Sequence, residues 1–296
     1  MTAWPAWILA SACFLALYDL AKKASVRSNA VLPVLLCSTT CGVVAYLTGL
    51  AASGLLASAW AAVDARVFAL GVSKSVIVGV SWIFTFCALR TLPITIATPI
   101  RASAPALVIL VALFLYGERP TLVQGAGMLT VLAGYWAFSW AGKTEGVDFL
   151  RNRAVWCAFA GAFFSAVSSL WDKYVFQVAA APVESVQLVF QVGLVAVYAF
   201  CLAASRLLGT ARNRFEFRWT IPFVGVLLAG ADWLYFKGLA LPGTPISAGS
   251  LLRRFSVVIT FVLGAAFFRE TNLRRKSIAL SAVVLGIVLI CLGARS

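Results

Sequence analysis

The chain contains no histidine, and Asp, Glu, Lys and Arg together make up only 11% of its 296 residues, against about 25% in a soluble globular domain. Without imidazole the commonest general base and a frequent metal ligand are missing. The seven cysteines form no CxxC pair and lie in apolar stretches, so they read as small packing residues. No glycine-rich loop is built to cradle phosphate. An enzyme has little to work with here, and no catalytic residue, metal or cofactor is expected.

What the sequence does have is apolar length. Hydrophobic residues make up 62% of it, and a bilayer core about 30 Å thick needs roughly 20 mainly apolar residues per helical span. Such runs fall at 4–21, 31–54, 67–89, 94–116, 122–141, 154–176, 184–207, 219–241, 245–268 and 277–294. The expectation is an all-α integral membrane protein with ten transmembrane helices, in the cell (inner) membrane. Trp7 to Leu17 could pass for a signal peptide, but no Lys or Arg precedes Lys22, so this run is read as the first span. The net charge of +14 is scattered between spans, which suits anionic headgroups rather than nucleic acid.

Sliding the chain against itself by 152 residues reveals an internal repeat. Ala88-Leu89 meets Ala240-Leu241, Pro93-Ile94 meets Pro245-Ile246, Arg101 meets Arg253, Glu118 meets Glu270 and Gly134 meets Gly286. A one-residue adjustment brings Asp19 onto Asp172. Matches between Leu- and Ala-rich helices are cheap, whereas coincident Arg, Glu and Pro are not. The copies are 1–142 and 150–296, and an odd number of helices in each, five, inverts the second copy in the membrane. Inverted repeats are a common way for secondary transporters to build two halves around a midplane site.

Five basic residues fall inside the runs: Lys74, Arg101, Lys237, Arg253 and Arg254. A charge at that depth is costly unless paired, hydrated or able to snorkel. Arg101 and Arg253, each eight residues past a repeat proline, are expected near mid-depth. Two readings are open for them: facing a central cavity as solute-binding groups, or pairing with a carboxylate to lock the halves. Arg254 should point about 100° from Arg253 around a helix. Asp232, central in its run, is expected to partner an arginine, the alternative being a proton-coupling site. Lys74 and Lys237 are further candidates for binding solute, the alternative being that each, within about two turns of a run's end, snorkels its long stem to the headgroups.

Trp82, Trp171, Tyr174, Trp233 and Tyr235 could stack on a solute ring, although packing is the commoner use of such residues. Pro99 and Pro105 flank Arg101 and should bend its helix and expose backbone carbonyls. Asp19 and Asp172 are expected to be structural or gating residues. Glu118 and Glu270, at run ends, are expected to act locally, capping the next helix or holding a tight turn.

With Ala88-Leu89, Pro93, Glu118 and Gly134 in one copy and Ala240-Leu241, Pro245, Glu270 and Gly286 in the other, the chain resembles the drug/metabolite transporter superfamily, specifically the EamA-type ten-helix carriers. The resemblance implies two inverted five-helix repeats, a central cavity and alternating access, often for export of amino acids or other metabolites. It assigns no role to Arg101 or Arg253. It also implies cytoplasmic termini, whereas most lysines and arginines lie in loops after odd-numbered spans, such as Lys22-Lys23-Arg27 and Arg274-Arg275-Lys276. By the positive-inside bias both termini are non-cytoplasmic.

The resulting expectation is a secondary transporter, a monomer of two halves with membrane lipids around it, moving a small polar or amphipathic metabolite with an anionic group. The excess of intramembrane cations over Asp232 favours an anion. The alternatives are a flippase of a lipid-linked or phosphate-bearing amphiphile, which a lateral opening between helices would favour, and a non-transporting membrane scaffold.

Overall fold

The computed structural model describes residues 4–26, 29–91, 94–140, 152–208, 214–256, 258–260 and 273–293. Helices are the only regular structure among them: α1 (Trp4–Val26), α2 (Val31–Ala52), α3 (Leu56–Ala61), α4 (Ala65–Thr91), α5 (Ile94–Leu115), α6 (Leu122–Trp140), α7 (Arg153–Lys173), α8 (Val183–Leu207), α9 (Thr220–Ala240), α10 (Ile246–Leu252) and α11 (Leu273–Gly293). Six are long and apolar enough to cross a membrane: α1, α2, α4, α7 with its extension, α8 and α9. Shorter apolar stretches are Ala104–Leu115, Leu122–Gly134 and Ser281–Gly293.

Helix starts follow local chemistry. Asp64 accepts a hydrogen bond from the Val67 amide at 2.7 Å, and Asn152 from the Ala154 amide at 2.9 Å, each satisfying an orphan donor at the start of α4 or α7. Ahead of α6, Thr121 and Gln124 exchange reciprocal backbone and side-chain bonds, the arrangement of a capping box. Gly117 and Gly243, both at positive φ, turn the chain after α5 and before α10.

The helices of the first half of the chain pack chiefly against those of the second. α1 lies on α9 and α4 on α7; α2 lies on α9 and α4 on α8; α6 lies along α11. In lipid the hydrophobic effect does not drive helices together, so close backbone approach through small residues matters more. At the crossing of α2 and α9, a Cβ on Gly225 would lie 1.8 Å from the Ser38 carbonyl oxygen. Between α6 and α11, one on Gly286 would lie 2.6 Å from the Gly127 carbonyl oxygen. Both helix pairs depend on glycine for their separation.

Three features depart from a plain reading of apolar runs. The short helix α3 lies between α2 and α4. The end of α7 widens into a π-turn at Tyr174–Val178, with the Ala179 amide bonding the Tyr174 carbonyl at 2.7 Å. The run expected as one helix over 245–268 is broken after Leu252, where Arg253 and Arg254 form a turn. By contrast, α5 runs as unbroken helix through Pro99 and Pro105, and Pro105 is buried.

Candidate functional site

The break after α10 produces the first half of the site. The Arg253 amide still bonds four residues back to Gly249 at 3.0 Å, but the Arg254 and Ser256 amides bond three back, to Leu251 and Arg253. Tightening of this kind within a helical segment often marks a functional hinge. The backbone at Arg253 and Arg254 is thus wound more tightly than a regular α-helix. From the turn, Arg253 forms an ion pair with Asp232 on α9, and its guanidinium carbon lies 4.3 Å from the centre of the Tyr235 ring. Its Nε is buried without a hydrogen-bond partner. Asp232 partners an arginine, as expected, and because Arg253 and Asp232 both belong to the second half of the chain this contact does not lock the two halves together.

The second half of the site joins α4 to α7. Lys74 forms an ion pair with Asp172, and their side chains are 2% and 5% exposed. Its ammonium lies 4.7 Å from the centre of the Phe190 ring and 4.6 Å from that of Phe236. Of the two readings open for Lys74, the snorkelling one does not hold. It misses because hydropathy locates a lysine along a helix but not the carboxylate and rings facing it. Tyr235 and Phe236 are neighbours on α9, so consecutive rings hold the two cations. Asp172 and Arg253 are close enough to interact electrostatically, making one four-charge cluster of the two pairs.

Through Lys173, the neighbour of Asp172, Glu118 connects this cluster to the start of α10. Its carboxylate accepts bonds from the Ile246 amide at 2.7 Å, from the Ser247 amide at 3.2 Å and from the Ser247 hydroxyl, and it pairs with Lys173. Glu118 is thus a helix cap, as its chemistry suggests, but for a helix 128 residues away rather than the next one. The local role expected for it is corrected, and the reason is the packing of α5 beside α10. A carboxylate at a helix N-terminus also meets the positive end of the backbone dipole.

The remaining candidates separate into those near the cluster and those apart from it. Lys237 pairs with Glu184 at the start of α8 and lies 5.7 Å from the Trp233 ring centre, consistent with a position near a helix end. Trp233 makes an edge contact with Trp7 at 5.9 Å between centroids, and Trp82 packs against the core. Trp171 and Tyr174 stack on each other at 5.2 Å. Arg254 is half-buried in the turn, and Asp19 is half-buried on α1. The side chains of Arg101 and Pro99, and the whole of Glu270, lie outside the described residues.

Several polar residues of the site give no signal in hydropathy. Lys173 and Glu184 are visible in the sequence only as charges near the ends of runs. Gln187 and Gln191, one turn apart on α8, are buried, and each has an Oε1 without a partner. Gln187 donates through Nε2 to the Ala229 carbonyl at 2.8 Å, one turn before Asp232.

The profile of the EamA-like transporter family matches residues 2–140, the stretch holding α1 to α6 and thus Lys74 and Glu118. The match covers just under half of the chain, and the first half is thus similar to the EamA-like transporter family. That similarity implies a membrane transporter of the drug/metabolite type, and the six helices long and apolar enough to cross a membrane support a multi-pass membrane protein. The chain also superposes on a solved crystal structure of another protein, with a TM-score of 0.75 and 21% sequence identity, covering 100% of this chain and 99% of the other. At that identity the likeness is one of fold, and it extends through the second half. No curated protein matches the transporter.

Proposed function

We propose that the protein is a secondary transporter that moves a small metabolite carrying an anionic group, with Arg253 as the group that meets the anion. The observation that supports this most is the unpartnered buried Nε of Arg253 in a turn that interrupts a helix. A guanidinium offers five donors in a planar fork, and the Asp232 contact uses the Nη2 end. The donors that remain suit a carboxylate or phosphate, and interrupted helices are where transporters commonly build solute sites.

The contacts of α1 with α9 and of α4 with α7 are those expected of two related halves packed about a pseudo-twofold axis. They support ten spans in two inverted five-helix copies, 1–142 and 150–296, that rock about the central cluster. Arg101, the repeat counterpart of Arg253, completes the site in this reading, and both termini lie on the non-cytoplasmic side of the cell membrane. The Lys74–Asp172 and Glu118–Lys173 pairs then hold the halves in one arrangement and must loosen in the other.

The test is thermal stability of the purified transporter against anionic, zwitterionic and cationic metabolites, repeated with Arg101→Ala and Arg253→Ala. Stabilisation by an anion that is lost in both variants is the expected result. Stabilisation by a cation alone would overturn the charge argument while leaving the family assignment in place.

A further inference from the structure

Among the described residues, four buried side-chain polar atoms lack a hydrogen-bond partner: Arg253 Nε, Gln187 Oε1, Gln191 Oε1 and the Tyr198 hydroxyl. The last three belong to α8. At about 100° per residue, Gln187, Gln191 and Tyr198 fall within about 40° of one another around the helix. They are 0%, 7% and 0% exposed, so they form one polar stripe on its inward face. Buried polar groups are nearly always paired, and an unpaired one needs a reason. At membrane depth the default reason is function.

Helix α9 joins this stripe to the arginine turn. Gln187 donates through Nε2 to the Ala229 carbonyl and Glu184 pairs with Lys237, so α8 and α9 run antiparallel side by side. Asp232, which holds Arg253, lies between Ala229 and Lys237 along α9. The guanidinium is therefore held level with the first two turns of α8. The Ala229 carbonyl also fixes which end of the Gln187 amide faces α9, leaving the acceptor oxygen over. Gln191 repeats an acceptor one turn further, about 6 Å along α8.

An acceptor calls for a donor. The charged oxygens of an anion at Arg253 supply none, so the complement of the two glutamines is an O–H or N–H group elsewhere on the same molecule. An ammonium suits carboxylates better than amide oxygens, and the nearby carboxylates are already paired: Asp232 with Arg253, Asp172 with Lys74 and Glu184 with Lys237. That leaves a neutral donor. A hydroxyl rotates to suit its acceptor, whereas the donors of an amide are fixed in its plane. We propose that Gln187 and Gln191 are specificity-determining residues that accept hydrogen bonds from hydroxyl groups of the solute, which is a hydroxylated organic anion. The proposal rests on the reading of Arg253 as the anion site.

The experiment titrates the melting temperature of the detergent-purified full chain with acids matched in chain length. The pairs are hexanoate against gluconate and butanoate against 3-hydroxybutanoate, with 3-aminobutanoate as the ammonium counterpart. The variants are Arg253→Ala, Gln187→Met and Gln191→Met, methionine keeping the length and removing the acceptor. Gln191 makes no side-chain hydrogen bond among the described residues, so Gln191→Met breaks none and reads the preference even where Gln187→Met fails to fold. In the wild type each hydroxy acid should bind about tenfold more tightly than its plain partner, because a site that bonds a hydroxyl rejects the analogue lacking it. The methionine variants should bring that ratio towards one through weaker binding of the hydroxy acid. Arg253→Ala should weaken hydroxy and plain acids alike.

Equal affinity for hydroxy and plain acids in the wild type, lost for both in Arg253→Ala, would overturn the proposal and leave the anion site standing. A hydroxyl preference that persists in Gln191→Met and in folded Gln187→Met would overturn it as well. Tighter binding of 3-aminobutanoate than of 3-hydroxybutanoate would overturn the choice of a neutral donor. If stabilisation by none of the acids depends on Arg253, the anion reading falls and the proposal with it.

Discussion

Lys74 on α4 and Asp172 on α7 form an ion pair buried on both sides, and the ammonium lies against the Phe190 and Phe236 rings. Two charges withdrawn from solvent hold each other at a cost, because desolvation opposes their attraction. Such a pair serves specificity better than stability: it fixes how α4 meets α7, and it resists the loss of either member.

Removing one partner should therefore be far worse than removing both. Asp172→Asn or Lys74→Met is expected to destabilise the transporter by about 3–5 kcal/mol, the range for stranding a buried charge. The double variant Lys74→Met/Asp172→Leu should recover much of that loss. Denaturation of the three variants in the same detergent checks this, and equal losses in singles and double would contradict it.

Glu118 bonds the first two amides of α10 and the Lys173 ammonium. Glu118→Ala should cost about 1 kcal/mol for the lost cap, and more through the stranded Lys173. Glu118→Gln keeps an acceptor but not the charge and should fall between wild type and Ala. The order of the melting temperatures is the check; indistinguishable values would show that the cap contributes nothing.

At Gly225 the α9 backbone touches α2, and an added methyl would lie 1.8 Å from the Ser38 carbonyl oxygen. Gly225→Ala is expected to lower stability by about 1–3 kcal/mol, as overpacking does. Gly49→Ala is the control, since a Cβ there meets nothing within 4 Å. Thermal melts of both variants decide it, and equal tolerance would contradict the close crossing.

Much of this architecture is legible in the sequence because a bilayer imposes length. Nine of the apolar runs fall on helices of 19 residues or more, including every helix long and apolar enough to cross a membrane. The tenth, 245–268, is described only to residue 260 and is broken at Arg253. Hydropathy misses that break because no proline or glycine marks it, and the side chains that meet Arg253 there, Asp232 and Tyr235, come from another helix. The pairing of Asp232 with an arginine was readable from charge and depth alone. The partners of Lys74 and Glu118 were not, since a one-dimensional pattern gives depth but not which helices face each other. The π-turn at Tyr174–Val178 has no sequence marker either.

Orientation is a separate prediction, from loop charge. Reporter fusions at residue 296 and in the loop following α1 should place the terminus outside the cytoplasm and the loop inside it, by the positive-inside bias. The reverse pattern would show that the implied family orientation overrides the bias.

The most direct test of the central claim is uptake into proteoliposomes of an anion that stabilises the purified protein, by wild type, Arg253→Lys and Arg253→Ala. The account predicts saturable uptake by wild type, reduced uptake by the lysine variant and loss in the alanine variant, with all three melting cooperatively. Undiminished uptake by a folded Arg253→Ala protein would contradict it and move the anion site away from the arginine turn.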